Sequence, residues 1–149
     1  MSLMEENMKV PLNIEDMCNE AIDLAAKMNV KLGYEPEDVI VIEKILNECH
    51  EKYVQNKMEQ KVAWNLACLY GVMVGEIMLR NGLAEKGFHW TPDRNAFIQD
   101  DKDMSLAPVR KAYKRIINGV EDNILMFYNF TMQAVFGDID LNDYVTRES

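Results

Sequence analysis

Cysteine and histidine, the side chains that most often mark metal and redox sites, are scarce in this chain. It has three cysteines and two histidines among 149 residues. An odd number of separated cysteines does not make a disulfide framework, so we expect Cys18, Cys49 and Cys68 to be reduced and buried. His50 directly follows Cys49, and adjacent residues point to different sides of a helix, which is not the spacing of a zinc site. The sequence predicts neither a metal nor a cofactor.

Motifs of several common enzyme classes are also absent. The chain has no phosphate loop, dinucleotide fingerprint, zinc-protease helix or nucleophile elbow. No window approaches the 18 consecutive apolar residues of a membrane span, because Asn65 and Glu76 interrupt the richest stretch, residues 63–79. The first residues are acidic and lack the basic and apolar segments of a secretory signal. These absences predict a cytoplasmic protein that does not enter a membrane.

Positive charge is in short supply. The chain has 16 basic and 25 acidic side chains, a net charge of −9, which disfavours nucleic-acid binding because such binding depends on contacts from Lys and Arg. The same charge is compatible with a basic protein partner. One basic cluster stands out, formed by Arg110, Lys111, Lys114 and Arg115. We interpret it as a solvated helix face, with a site for an anion or a partner as the alternative.

The composition that remains is that of a globular protein. Apolar residues make up 48% of the chain and charged residues 28%. A chain of this length is close to the usual size of one domain. We predict a single domain over residues 13–137, a disordered or tag-like N-terminus over residues 1–12, and an acidic C-terminal tail, frayed or loosely docked, over residues 138–149.

Apolar periodicity and capping residues predict a helix-dominated α+β fold. The predicted helices cover residues 13–29, 36–56, 59–81, 108–117 and 121–136. Strands are predicted over residues 87–91 and 96–99, with a third short strand over residues 104–107. The resulting architecture has about five helices packed around a two- or three-stranded antiparallel sheet.

The third predicted helix carries the most distinctive pattern in the sequence. Small residues recur at every fourth position, at Ala63, Ala67, Gly71 and Gly75. This spacing aligns them along one side of the helix, so another segment can approach the backbone closely. Each interior glycine costs about 1 kcal/mol relative to alanine, and close packing is the expected compensation. We predict that this strip lies buried at the centre of the domain.

Glu76 is the most informative ionisable residue, because it lies on the helix predicted to be most buried. A buried carboxylate needs a partner. Arg80, one helical turn further on, is the local candidate, and Lys114, Arg115 or the indole of Trp90 are candidates from neighbouring elements. We interpret Glu76 as part of a structural ion pair, with a catalytic acid as the alternative.

The aromatic hairpin is a second candidate site. His89 and Trp90 at its start, with Asp93 and Arg94 in its turn, can line a small polar pocket for a ligand or a partner loop. We favour a simpler arrangement, in which Trp90 packs on the third helix and His89 faces solvent.

Several short motifs in the second half of the chain resemble a known pattern. They are a Gly-x-x-x-Gly-Glu helix, a Trp-containing strand, a Pro-initiated basic helix and a Gly-x-x-Asp turn, carried by residues 70–76, Trp90, residues 107–111 and residues 119–122. The pattern is similar to that of a family of small uncharacterised bacterial domains, and it covers about half of the chain, roughly residues 63–136. The resemblance implies an α+β fold with helices against a small antiparallel sheet and no established activity. The matching residues are Glu76, Trp90, Pro108 and Asp122, and none of them inherits a role.

Three functional hypotheses follow. The leading one is a non-catalytic binding or accessory protein, an acidic partner of a basic protein in the manner of bacterial immunity proteins. The second is a small-molecule hydrolase or transferase that uses Glu76 and His89 with the basic cluster, which requires these groups to converge on one open pocket. The third is a structural homo-oligomer whose subunits meet through the small-residue strip or the aromatic hairpin.

Overall fold

The computed structural model describes residues 13–93 and 95–137. The predictions for residues 1–12, for Arg94 and for residues 138–149 lie outside the described residues. Within them the fold is α+β and helix-dominated, as predicted. Its helices are α1 (Ile14–Lys27), α2 (Asp38–Val54), α3 (Gln60–Met78), α4 (Pro108–Asn118) and α5 (Ile124–Phe136), and its strands are β1 (His89–Trp90), β2 (Ile98–Gln99) and β3 (Ser105–Leu106).

The strands form one antiparallel sheet in the order β1-β2-β3. Trp90 pairs with Ile98, and Ile98 pairs with Leu106. Each strand is only two residues long, shorter than predicted. In the second predicted strand the backbone turns at Ala96, which has φ +57°, so β2 begins at Ile98. The sheet is therefore a small element that packs against the helices and does not form a separate layer.

The small-residue strip of α3 is buried in the centre of the fold, as predicted. A Cβ atom placed on Gly71 would lie 2.5 Å from the Cα atom of Val109 in α4. A Cβ atom on Gly75 would overlap the ring of Trp90 and approach Ile98 in the sheet. The two glycines thus allow both α4 and the sheet to approach the backbone of α3.

The end of α3 is shaped by a polar side chain and a glycine. The α-helix stops at Met78, and a wide turn, Leu79–Leu83, follows it with Gly82 at φ +132° against the ring of Phe136. The Asn81 side chain donates to the carbonyl oxygen of Ile77 at 2.7 Å and to that of Tyr34 at 2.9 Å. These bonds satisfy a carbonyl that the end of the helix leaves free and attach the α1–α2 connection to α3.

The start of α5 differs from the prediction. The structure begins the helix at Ile124, where the Asn123 side chain accepts a hydrogen bond from the Met126 amide at 3.0 Å. Glu121 lies in a separate 3₁₀ turn, Val120–Asp122, which follows Gly119 at φ +100°. Both acidic and amide side chains cap helices, so the sequence offered two possible starts and the structure uses the later one.

One helical stretch, Gln60–Lys86, is long and apolar enough to cross a membrane by length and composition alone. In the fold, 72% of its most apolar window is buried against other parts of the chain. This burial is what the core helix of a globular domain requires.

Candidate functional site

Glu76 lies near the C-terminal end of α3 and is held from two sides. Its Oε2 atom accepts a hydrogen bond from Trp90 Nε1 at 2.9 Å, and its Oε1 atom lies 3.4 Å from Arg80 Nε. The predicted partners Arg80 and Trp90 both contact Glu76, whereas Arg115 pairs with Glu43 instead and Lys114 lies exposed on α4. The carboxylate links the first strand to the central helix.

The Arg80 side chain extends this cluster to the α1–α2 connection. Its guanidinium carbon lies 3.6 Å from the centre of the Tyr34 ring, and the Tyr34 side chain lies close to the Cys18 thiol. Burial, and then the negative charge of Glu76, raises the pKa of Cys18 to about 11. Because the thiolate is the nucleophilic form, a thiol with this pKa is unreactive at neutral pH. The cluster holds three elements together and contains no activated nucleophile.

The aromatic hairpin does not form the small polar pocket that was the less favoured possibility. Trp90 turns inward onto Gly75, while His89 is exposed and donates from Nδ1 to the carbonyl oxygen of Gly87 at 3.2 Å. Asp93 accepts hydrogen bonds from the Thr91 hydroxyl and the Asn95 amide, which is turn chemistry. Successive strand residues point to opposite faces, so His89 and Trp90 cannot line one pocket. The favoured arrangement, with Trp90 on the third helix, is the one observed.

The basic cluster does not form a single solvated face. Arg110 lies over the ring of Phe97 at 5.4 Å, and Lys111 forms an ion pair with Asp122 at 3.0 Å. Lys114 is exposed, but Arg115 is only 1% exposed. The interpretation of all four residues as a solvated face was therefore wrong for Arg115, which lies on the buried side of α4 and is not accessible to a partner.

Arg115 instead belongs to a buried polar network that the sequence analysis missed. Its Nε atom lies 3.0 Å from each carboxylate oxygen of Glu43, and its Nη2 atom donates to Glu43 at 2.8 Å and to Asn47 at 2.7 Å. Glu43 also accepts the Ile124 amide at the start of α5, at 3.0 Å. One carboxylate thus joins α2, α4 and α5. The available signal was Glu43 itself, an acid beside Ile42 within the apolar pattern of α2.

An open pocket of about 450 Å³ lies between the turn after α3, the β2–β3 turn and the C-terminal part of α5. Its lining includes Lys86, Phe88, Asp101, Lys102 and Val135 and none of the predicted site residues. The hydrolase or transferase hypothesis required Glu76, His89 and the basic cluster to converge on one open pocket. They do not converge on this one. Among residues 13–93 and 95–137, no group of three His, Cys, Asp or Glu side chains is placed to hold a metal ion.

Helix α5 has an unusual relation between composition and burial. It contains no charged residue, and its only polar side chains apart from the Tyr128 hydroxyl are Asn129, Thr131 and Gln133. Yet only Ile124, Tyr128 and Thr131 are buried, whereas α3, which is also strongly apolar, is buried along most of its length. A helix without a charged face is expected to be surrounded by protein.

The exposed side of α5 can be defined by helical spacing. Met126, Phe130 and Ala134 are exposed and four residues apart, and the half-buried Asn129 and Gln133 lie beside them. We refer to these five residues as the outer face of α5. Met126 is 43% exposed. This face is neutral and mostly apolar in a chain that carries a net charge of −9.

Comparisons with protein-family models, with curated proteins and with solved structures give no match. The resemblance to uncharacterised bacterial domains therefore stays a prediction. In the structure its motif residues make contacts that position the fold. Glu76 bonds Trp90, Pro108 opens α4 against Gly71, and Asp122 pairs with Lys111. Each contact joins elements that are separate in the chain, which is a packing role rather than a chemical one.

The three cysteines provide a direct test of the core. Burial raises the pKa of Cys18 and Cys49 to about 11 and that of Cys68 to about 12. In the native protein at neutral pH we expect all three thiols to react with a chromogenic disulfide reagent at least about a hundredfold more slowly than in denaturant. Absorbance of the released thiolate measures this. A thiol that reacts in the native state as fast as in urea would contradict the burial of its helix.

Proposed function

We propose that this chain is a non-catalytic protein-binding protein and that the outer face of α5 is its binding surface. The observation that carries the proposal is the mismatch in α5: its composition is that of a buried helix, but Met126 and its neighbours on the outer face remain exposed to solvent. Exposed apolar surface of this kind is stabilised when a protein partner covers it.

The side chains of the outer face suit a protein interface. Methionine and aromatic residues are enriched at the centres of interfaces, and charged residues are depleted there. Methionine also adapts its shape to a partner at low energetic cost. The amide of Asn129 supplies a neutral donor and a neutral acceptor, whereas the Oε1 atom of Gln133 is buried within the fold. The face thus combines apolar contact with neutral hydrogen bonding.

The ionisable groups considered for catalysis support the same proposal, because structural contacts already occupy them. Glu76 bonds Trp90 and Arg80, and Arg115 bonds Glu43. A general acid or base must instead reach a substrate within hydrogen-bond distance. This arrangement favours a binding protein over a hydrolase or transferase.

A pair of lysine substitutions tests the proposal. Met126→Lys places a charge on the outer face of α5, and Val62→Lys is the control, because Val62 is also 43% exposed but lies near the start of α3, away from α5. Both variants should fold like wild type, since both sites face solvent. The tagged wild type and Val62→Lys should retain a partner from an extract of the source cells that also expresses a second, differently tagged copy of the chain.

Met126→Lys should lose that partner, because binding would bury an unpaired ammonium group. Quantitative mass spectrometry of the retained proteins measures the difference. If no retained protein, the second copy included, distinguishes Met126→Lys from Val62→Lys, the proposal is wrong.

A further inference from the structure

We infer that the partner covering the outer face of α5 is a second copy of this chain; the inference rests on the proposed function and names its partner. The two molecules would meet through their α5 helices across a two-fold axis. Such contacts are the commonest in protein assemblies, and they use the same surface on both partners. The outer face must then be complementary to itself in charge, shape and hydrogen bonding.

Charge is the first argument. Two molecules that each carry a net charge of −9 repel one another, so they can associate only through a surface on which carboxylates do not face carboxylates. Helix α5 provides such a surface, because no acidic or basic residue occurs between Ile124 and Phe136. A neutral helix can therefore contact an equally acidic molecule without repulsion between carboxylates.

A basic partner would use a different kind of surface. It would gain most from carboxylates that it could pair with, and the outer face of α5 has none. The acidic residues of the chain therefore lie on other surfaces, and a basic protein would bind to those surfaces rather than to α5. This comparison favours a second copy over the basic partner that the net charge alone suggested.

Hydrogen bonding is the second argument. Asn129 lies on the outer face, and its amide has both a donor and an acceptor. Across a two-fold axis this amide can meet its own symmetry mate with donor opposite acceptor. Side chains that carry only donors or only acceptors cannot be self-complementary in this way.

The size of the face sets the expected strength. Helix α5 has 13 residues, so it is about 20 Å long. One helix pair of this length buries less than the roughly 1,600 Å² of total surface typical of a stable complex. We therefore expect a weak dimer that dissociates in the micromolar range.

Single surface cysteines provide a specific test of the contact. The three native thiols are buried, so a new thiol on the surface is the reactive one. Met126→Cys should form a covalent dimer with a short bis-maleimide reagent, because the two copies of residue 126 lie on facing helices. Val62→Cys has the same 43% exposure and should remain monomeric. Equal cross-linking of the two variants, or none in either, would overturn the inference.

Sedimentation equilibrium then separates this inference from the proposed function. Wild type and Val62→Lys should shift from 17.2 kDa toward twice that mass as concentration rises through the micromolar range. Met126→Lys should weaken the association at least about tenfold, since each copy would bury an unpaired ammonium group in an apolar contact. A wild-type chain that stays monomeric refutes the second copy.

If the wild-type chain is a monomer, two further results decide whether the proposed function still holds. If the monomer still retains another protein that Met126→Lys loses, the proposed function stands and the inference alone fails. If Met126→Lys lowers the unfolding midpoint of a monomer, the chain covers its own helix, and both the inference and the proposed function fail.

Discussion

Replacing Gly71 with alanine is expected to destabilise the fold by about 3 kcal/mol, one of the larger effects available from a single methyl group. The added Cβ atom would lie 2.5 Å from Val109 Cα, 2.9 Å from the carbonyl oxygen of Pro108 and 3.0 Å from Val109 N. All three are backbone atoms, which cannot rotate away as a side chain can. Urea unfolding followed by circular dichroism measures the change.

The sign of this effect is informative. In a solvent-exposed helix the same substitution stabilises by about 1 kcal/mol, because alanine has a higher helix propensity than glycine. Gly87→Ala is a suitable control: that residue has φ +93° and nothing within 4 Å of an added Cβ, so only backbone strain of about 1 kcal/mol is expected. A Gly71→Ala variant as stable as wild type would mean that α4 does not rest on the backbone of α3.

The small-residue strip was predictable because its signal is local and periodic. Four small residues at a spacing of four can be recognised without knowing what packs on them, although the identity of the neighbouring segment cannot. The start of the first helix was predictable for the same reason, since a capping side chain acts on the amide three residues later; here Asn13 accepts from the Asp16 amide at 2.9 Å. The two partners of Glu76 were also predictable. Arg80 lies one helical turn after it, and Trp90 lies in the hairpin predicted to pack near α3.

Other features depend on residues that are far apart in the chain. His50 donates from Nδ1 to the carbonyl oxygen of Ile116 at 2.7 Å, and its ring leaves no room for a Cβ atom on Gly119. The sequence analysis considered His50 only as a metal ligand, whereas in the fold it caps the end of α4. No local pattern connects two residues 66 positions apart. The start of α5 was misplaced for a related reason, because Glu43 of α2 binds its first amide.

The exposure of α5 was unpredictable from a different cause. Its apolar composition indicates burial, and the predicted architecture packs it with the other helices around the small sheet. Within the described residues that prediction holds for the inner side, where Ile124 and Tyr128 are buried. A single chain's sequence does not distinguish a helix buried by its own fold from one buried by a partner, since both require the same side chains.

Removing one member of the buried Glu43–Arg115 pair is the second large effect we expect. Arg115→Met should destabilise the fold by about 3–5 kcal/mol, because Glu43 would be left as a mostly buried carboxylate without its countercharge. The loss also affects the start of α5, whose first amide Glu43 accepts. Lys111→Met on the same helix is the control: its ion pair with Asp122 is more exposed and should contribute only about 1 kcal/mol or less.

A double substitution distinguishes loss of charge pairing from loss of packing. In Glu43→Leu with Arg115→Met, no unpaired charge remains, so most of the stability lost in Arg115→Met should return even though every hydrogen bond of the pair is gone. The free energies of unfolding of the wild type, both single variants and the double variant form a thermodynamic cycle, and its coupling energy should be large and favourable. Additive single effects would mean that the two side chains act independently, which the bidentate geometry, Nε to Oε1 at 3.0 Å and Nη2 to Oε2 at 2.8 Å, does not allow. Because Glu43 also joins α2 to α5, the double variant should keep α4 in place while the start of α5 frays, a difference that amide hydrogen exchange at Ile124 resolves.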